Sequence, residues 1–425
     1  MTYQSISEMA KRWNMPTRTI RYYCQIGRIP GAFLTGKTWN IPSDAEQPLR
    51  QRNIQINQAI SVDNRKLDVA IVGGGISGVF AAIRLKEKHP FFHVSIFEKN
   101  NKLLRKIYVT GNGRCNFANR GDLKGKYNHE SFVLPIINEF SFSNISRYFE
   151  TLGIHHKFIN DLVYPLSETA ETVALLLLKK VEELNIEVHV NEKVTDYQDH
   201  HLFTEQSSYH FDYLVLAGGG KAAPQLGSDG NLLTMLINHG YRIVDNQPSL
   251  CPIKVKENVN LIEGLRAKAL VTLLIDNKEI HSEEGEVLFK KDGLSGIVIF
   301  NMTHFINQYP SAKKVEICLN FVPQMSNLSK KQYIEYLHPR LANYLLNHHF
   351  DIHHTVFTFK SLYDFNVAQV TSGGVSLEEV NSSLFSQREK DIFFIGEMLD
   401  VDAVCGGFNI MWALASAEKI SNNHF

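Results

Sequence analysis

The stretch "LDVAIVGGGISGVFAAIRLKEK", Leu67 to Lys88, constrains this chain more than any other. Leu67 to Val72 is an apolar run of strand length, and the residues after Gly78 have helical periodicity. Between them, Gly73, Gly75 and Gly78 spell GxGxxG. The next strand pattern, "HVSIFEKN", reaches Glu98 twenty residues beyond the third glycine. Strand, glycine turn, helix and acid in this order form a dinucleotide-binding βαβ unit, which sets an α/β fold class with a Rossmann-like sheet. Gly73 permits the tight turn, Gly75 the approach of a pyrophosphate, and Gly78 the packing of helix on strand. The helix N-terminus at Ile76 and Ser77 turns free N–H groups and a favourable dipole toward that pyrophosphate. Glu98 suits two ribose hydroxyls and repels a 2′-phosphate.

The segment after Glu98 separates NAD from FAD. "KLLRKIYVTGNGRCNFAN" places Arg105, Lys106 and Arg114 around Gly111 and Gly113, where a dehydrogenase of the NAD class would continue into further βα units. A basic, glycine-containing loop of this kind can wrap the adenosine and pyrophosphate side of a longer cofactor. A later buried strand, Tyr213 to Leu216, runs into Ala217, Gly218 and Gly219. Near the C-terminus, "DIFFIGEMLDVDAVCGGFNIMWALASA" joins a strand to Gly396-Glu397 and then to a helix opened by Gly406-Gly407.

These segments together resemble the BaiN-type NAD(P)/FAD-dependent (aminoacetone-oxidase-type) flavoprotein family. The carrying motifs are "TGNGRCNFAN", "AGGGKAAPQLGSDG", "GEVLFKKDGLSG", "AQVTSGGVSLEEV" and "GEMLDVDAVCGGFNIMWALASA", and the resemblance runs from Leu67 to about Ile420. It implies an FAD domain of the two-dinucleotide-binding type over 67–247 and 360–425. An inserted β-barrel-like substrate domain would occupy 248–359, with a reduced helical cap at 326–350. "KALVTLLID", "EVLF", "IVIF" and "VEICLNFVP" read as the barrel strands. The implied FAD contacts are the glycines above, Glu98, Lys99, Arg105, Lys106, Asn112, Arg114, Cys115, Asn116, Gly396, Glu397, Gly406, Gly407 and Asn409. Asp402 and its neighbour Asp400 either hold the ribityl chain or shape the turn before Cys405. The cap segment "NLSKKQYIEYLHPRLANYLLNHH" is shorter than the family's insertion, and Asp161-Leu162 stand where Gly-Arg is common.

The first 48 residues have a separate logic. Ile6, Met9, Ala10 and Trp13 share one helical face, Pro16 interrupts, and Thr17 can cap a second helix that turns Ile20, Tyr23 and Cys24 inward. "AFLTGKTWNIP" reads as two strands around a Thr-Gly turn. The expected unit is a winged helix-turn-helix, and "TIRYYCQIGRI" resembles MerR-type and excisionase-type DNA-binding domains. Eight basic and three acidic residues up to Arg52 give it a charge of +5 in a chain of zero net charge. Thr17, Arg18, Arg21, Tyr22 and Lys37 are the DNA-contact candidates. Docking of a protein partner is the alternative use. Residues 49–66 are polar and read as a linker.

Zero net charge leaves no global field for nucleic acid or membrane. The start is polar and helix-like from Thr2, no apolar run is long enough to span a bilayer, and the five scattered cysteines form no CxxC. The expected setting is cytoplasmic, without disulfides or membrane attachment. Eighteen histidines make no HExxH, and the adjacent pairs point to different faces of one element, so no metal site is expected. No catalytic acid or base stands out. Three functions stay open: an FAD-dependent oxidoreductase acting on a small organic substrate with NAD(P)H or oxygen as its second partner, a flavin-carrying DNA-binding regulator, and an idle FAD-binding scaffold.

Overall fold

The apolar runs become strands of a parallel sheet in the computed structural model, which describes residues 2–25, 29, 31–36, 38–45, 47, 66–326 and 328–423. The chain divides into two units, Met1–Asp63 and Asn64–Phe425.

In the first unit, β1 (Tyr3–Ser5) leads into α1 (Ile6–Arg12) and α2 (Thr17–Gln25), followed by β2 (Phe33–Thr35) and β3 (Thr38–Pro42). The sheet order is β1-β3-β2, antiparallel throughout. The polar start is thus a strand, not a helix from Thr2. Ser5 ends it by capping α1 reciprocally with Glu8, a Ser-x-x-Glu box that satisfies two free N–H groups. Met9, Trp13, Ile20, Tyr23, Cys24 and Ile41 fill the small core. Thr17, Arg18, Arg21 and Tyr22 are exposed on α2, whereas Lys37 lies outside the described residues. The expected linker, too, lies outside them except for Lys66.

In the second unit, β4 (Asp68–Val72), α3 (Ile76–Lys88) and β5 (His93–Glu98) form the first βαβ element. The parallel sheet has the order Ile392–Phe394, Tyr213–Leu216, β4, β5, Glu187–Val190. Its central strands are buried on both faces, which explains their unbroken apolar runs. The helix Phe408–Ser421 packs on α3, with Arg84 (2.6 Å) and Lys88 (2.5 Å) gripping the buried Glu418. Two segments more than three hundred residues apart thereby share one layer.

Six strands close a barrel in the order Ile253–Val255, Gly293–Ser295, Lys278–Lys290, Arg266–Ile275, Val315–Asn320, Thr355–Leu362. It has its own core, in which Val271, Leu273, Phe289, Ile317 and Phe357 are buried. Leu341, Tyr344 and Leu345 of the helix Pro339–Asn347 pack into that core. One expected strand is corrected here. "IVIF" opens the helix Ile297–Asn307, because Gly296 (φ +109°) turns the chain out of strand Gly293–Ser295. Val298 and Ile299 face inward, and Ile297 stays 65 % exposed. A four-residue apolar run does not by itself distinguish strand from helix.

Candidate functional site

The carboxyl ends of β4, β5 and the strand Tyr213–Leu216 open onto a cleft with about 1010 Å³ of free space, part of it continuous with solvent. The three fingerprint glycines divide by what a side chain would meet. A Cβ on Gly73 would lie 2.5 Å from the Ala217 carbonyl oxygen, and one on Gly78 2.0 Å from that of Gly73. These two are required by the protein's own packing. A Cβ on Gly75 meets no protein atom within 4 Å, and Gly75 lines the cleft. Gly75 is also the N-cap of α3 and supplies no side-chain cap. The first-turn N–H groups, beside the cleft-lining Ile76 and Ser77, are therefore free for an anion.

Glu98 is held ready at the cleft wall. Its Oε2 accepts from the Gly74 amide (2.8 Å) and its Oε1 from the Asn100 amide (2.8 Å). Arg105 and Lys106 line the same cleft. Arg105 donates to the Asn100 side chain, and Lys106 Nζ stands 2.9 Å from Glu397 Oε2. The Thr371 amide donates to Glu397 Oε1 at 2.7 Å. Ala217, Gly218 and Gly219 form part of the wall. Lys99 faces a smaller neighbouring cavity, paired with Asp229 at 2.5 Å.

Part of the basic loop stands back from this cleft. Thr110 reaches the cleft wall, but Gly111, Asn112, Gly113, Arg114, Cys115 and Asn116 do not line it. Gly111, Asn112, Gly113 and Cys115 all have positive φ, and the loop closes on itself through Cys115 N to Thr110 O, 3.0 Å. Asn116 Oδ1 accepts from Val163 N at 3.1 Å, and the Arg114 guanidinium lies 4.9 Å over the Tyr164 ring. Cys115 is fully buried, and desolvation pushes its thiol up to about 12. That environment suits a packed thiol, not a redox-active one.

At the other end, Gly396 is fixed through its amide to Ser416 Oγ (3.0 Å) and through its carbonyl, which accepts from Trp412 Nε1 (3.0 Å). Gly406 and Gly407 have φ of +135° and +93°, and a Cβ on Gly407 would lie 2.6 Å from the Ala118 oxygen. Their turn starts the helix Phe408–Ser421, whose Asn409, Trp412 and Ala413 line the cleft. The Asn409 amide clamps Ala403, accepting at 3.0 Å and donating at 2.9 Å. Asp402 is not on the wall. It is 1 % exposed, accepts from Ser249 Oγ (3.1 Å) and meets His304 Nδ1 at 2.8 Å, while its Oδ1 has no protein partner. Asp400 binds the Gly373 amide (3.1 Å) and His129 Nε2 (3.0 Å), and that hydrogen bond raises the His129 imidazole above its ordinary value.

Two residues with no sequence signal join the barrel to this turn. Asn301 and His304 are three apart on the helix Ile297–Asn307 and therefore share a face. Asn301 Oδ1 accepts from the Cys405 amide (2.8 Å) while its Nδ2 donates to Glu283 (2.8 Å). Desolvation, then the Glu283 carboxylate, push the half-buried Cys405 thiol up to about 12. Asn100, Lys102, Gln369 and Val370 also line the cleft, though nothing in their local spacing marks them; Gln369 and Val370 lie within "AQVTSGG".

Residues 67–423 match the family described as HI0933-like protein Rossmann domain. The chain is similar to the 3-dehydro-bile acid delta(4,6)-reductase of Clostridium scindens, 27 % identical over 82 % of this chain and 96 % of the relative. It is also similar to the ribosomal RNA dihydrouridine synthase of Haemophilus influenzae, 24 % identical over 82 % of this chain and 96 % of the relative. A solved 3-ketosteroid-delta4-(5alpha)-dehydrogenase from Rhodococcus jostii aligns with a TM-score of 0.45 at 12 % identity, covering 87 % of this chain and 99 % of that one.

Proposed function

From the premise that the chain belongs to the HI0933-like Rossmann-domain, FAD-binding family, we propose that it is an FAD-dependent oxidoreductase reducing a carbon–carbon double bond conjugated to a carbonyl. Residues 67–247 and 363–425 would be the FAD domain and 248–362 an inserted substrate domain, the boundary expected after 359 moving because the last barrel strand, Thr355–Leu362, runs through it. The observation that carries the reading is the contrast among the glycines. Gly73 and Gly78 are demanded by protein contacts, whereas Gly75 leaves a hollow that no protein atom fills, at an uncapped helix N-terminus. The preset Glu98 carboxylate at the cleft wall adds acceptors that a cofactor's hydroxyl groups can use.

When bound, FAD supplies the redox chemistry, accepting and delivering hydride. The chain's own groups orient and neutralise. The α3 N-terminus with Arg105 and Lys106 would meet pyrophosphate charge, and Glu98 would take a ribose. Glu397, pinned by the Thr371 amide and Lys106, would present its carboxylate to the ribityl side. The turn Gly406–Gly407, braced by Asn301 through Cys405, would direct the N-terminus of Phe408–Ser421 toward the cofactor's negative charge. The substrate class rests on the two relatives, whose names, delta(4,6)-reductase and dihydrouridine synthase, share saturation of a conjugated double bond. NAD(P)H is the proposed donor. Bleaching of the bound flavin by NADH or NADPH under anaerobic conditions, followed by reoxidation with a cyclic enone, tests the reading. Bound flavin that neither donor bleaches, and that no enone reoxidises after chemical reduction, would instead indicate a scaffold.

The first unit supports a second role. Its two helices and three-stranded sheet suit a winged helix-turn-helix, and α2 exposes Arg18, Arg21 and Tyr22 together. We read it as a DNA-docking module; a gel shift lost with salt and in R18A/R21A checks it, and equal retention of the double variant rejects it. All five cysteines are free, which favours a reducing, cytoplasmic location. None of the described helices is long and apolar enough to cross a membrane.

A further inference from the structure

The end of the parallel sheet opposite the cleft carries a group of side chains that the proposed flavin chemistry does not use. Asp68 begins β4, His93 begins β5 in register with it, and Asp212 immediately precedes the strand Tyr213–Leu216. His210 ends the neighbouring strand Ser208–His210. The backbone fixes their spacing, with Asp212 N donating to Asp68 O at 2.8 Å and Asp68 N to Asp212 Oδ2 at 2.7 Å. One donor atom from each of Asp68, His210 and Asp212 lies within 4.8 Å of the others.

We propose that Asp68, His210 and Asp212 form a binding site for a divalent transition ion of the zinc class. Two carboxylates and an imidazole are a mixed oxygen and nitrogen set that such ions accept, whereas calcium and magnesium take oxygen donors. One of the three separations already has the ligand spacing. Ligand bonds of about 2.0–2.1 Å in a tetrahedron separate neighbouring donor atoms by about 3.3 Å, and Asp68 Oδ2 stands 3.4 Å from His210 Nδ1. The supporting contacts are those of a ligand set with an outer layer. His93 Nδ1 holds the other oxygen of Asp68 at 3.0 Å, and Glu187 holds His93 Nε2 at 2.9 Å. The Asp68 amide holds one oxygen of Asp212. Outer partners of this kind orient ligating groups. Water completes the coordination on the open side. The pair His210 and Asp212 is no recognised metal spacing along the chain, and Asp68 joins it from a strand more than a hundred residues earlier. At the amino ends of the strands, away from the cleft, the ion would tie the hairpin ending at His210 to the sheet and take no part in hydride transfer.

The test is calorimetric titration of the full chain, stripped with a chelator, with ZnCl2 and separately with CaCl2. The expected result is one zinc site per chain, weakened at least about tenfold in H210A and in D212N and a lesser amount in H93A. Calcium heat should be absent, and flavin content should not change between variants. Cobalt(II) in place of zinc should give four-coordinate visible bands that H210A loses. H210Q replaces H210A if the alanine variant aggregates. No saturable zinc binding, calcium binding of equal strength, or zinc binding unchanged in H210A and D212N would each overturn the proposal.

Discussion

Substituting alanine at Gly75 and at Gly78 should separate cofactor binding from folding. At Gly75 the added methyl meets no protein atom within 4 Å, and the residue caps α3 with φ −74°, which alanine adopts freely. Alanine is a poorer N-cap than glycine, so the apoprotein should lose at most about 1 kcal/mol. The methyl, however, occupies the hollow beside the α3 N–H groups. Pushing a pyrophosphate off one or two charge-assisted hydrogen bonds forfeits about 1.5–3 kcal/mol, a roughly ten- to hundredfold weaker Kd for FAD. At Gly78 the methyl would sit 2.0 Å from the Gly73 carbonyl oxygen, a backbone atom that cannot swing away. Overpacking of that kind costs about 1–3 kcal/mol or more, offset by at most about 1 kcal/mol of helix propensity. Urea unfolding of the apoproteins and FAD titration by flavin fluorescence read the two effects. G75A should unfold near wild type and bind FAD weakly, and G78A should unfold earlier. FAD affinity unchanged in G75A, or wild-type stability in G78A, would refute the assignment of the two glycines.

The same contacts have other consequences. K106M should weaken FAD binding about tenfold with little change in unfolding, since Lys106 and Glu397 meet at the cleft and are partly exposed; an unaltered Kd would remove Lys106 from the site. H304A strips the fully buried Asp402 of its imidazole partner and should cost about 3–5 kcal/mol in urea unfolding; a loss under about 1 kcal/mol would mean that the pair is not stabilising. Cys115 and Cys405, both pushed up to about 12 by desolvation, stay protonated at pH 8, so alkylation should wait for denaturation. Their protonated burial contributes stability fully below the ordinary thiol range and loses it as pH climbs toward 12; fast native labelling of either would contradict this. His129, raised by Asp400, contributes stability that is full below about 6.5 and fades as pH rises through its elevated value. Proton NMR of wild type and D400N checks the sign, and a His129 titrating lower in the wild type than in D400N would reverse it.

The sheet and its first turn are legible in the sequence because glycine spacing and apolar run length are local signals. Leu67 to Glu98 contains every residue needed to read a strand, a helix and a strand. The loop after Glu98 is less legible. Its basic residues suggest a wrap around the cofactor, but backbone handedness decides direction, and positive φ at Gly111, Asn112, Gly113 and Cys115 folds that loop on itself. Lys106 stays at the cleft because Glu397, nearly three hundred residues away, receives it. Asn301 and His304 carry no signal at all, since their partners Cys405 and Asp402 are about a hundred residues distant. "IVIF" misleads because four apolar residues fit either period, and only Gly296 breaks the tie. Asp402, for which the sequence allows ribityl contact or turn-shaping, is tied to the barrel helix through one oxygen and has the other unpaired.

FAD titration of the full-length apoprotein, with quenching of flavin fluorescence as readout, bears most directly on the central claim. Saturation at one FAD per chain is expected, with Kd raised in G75A and K106M and not in R18A/R21A. Absence of saturable FAD binding to a folded chain, or binding that G75A and K106M leave untouched, would contradict it.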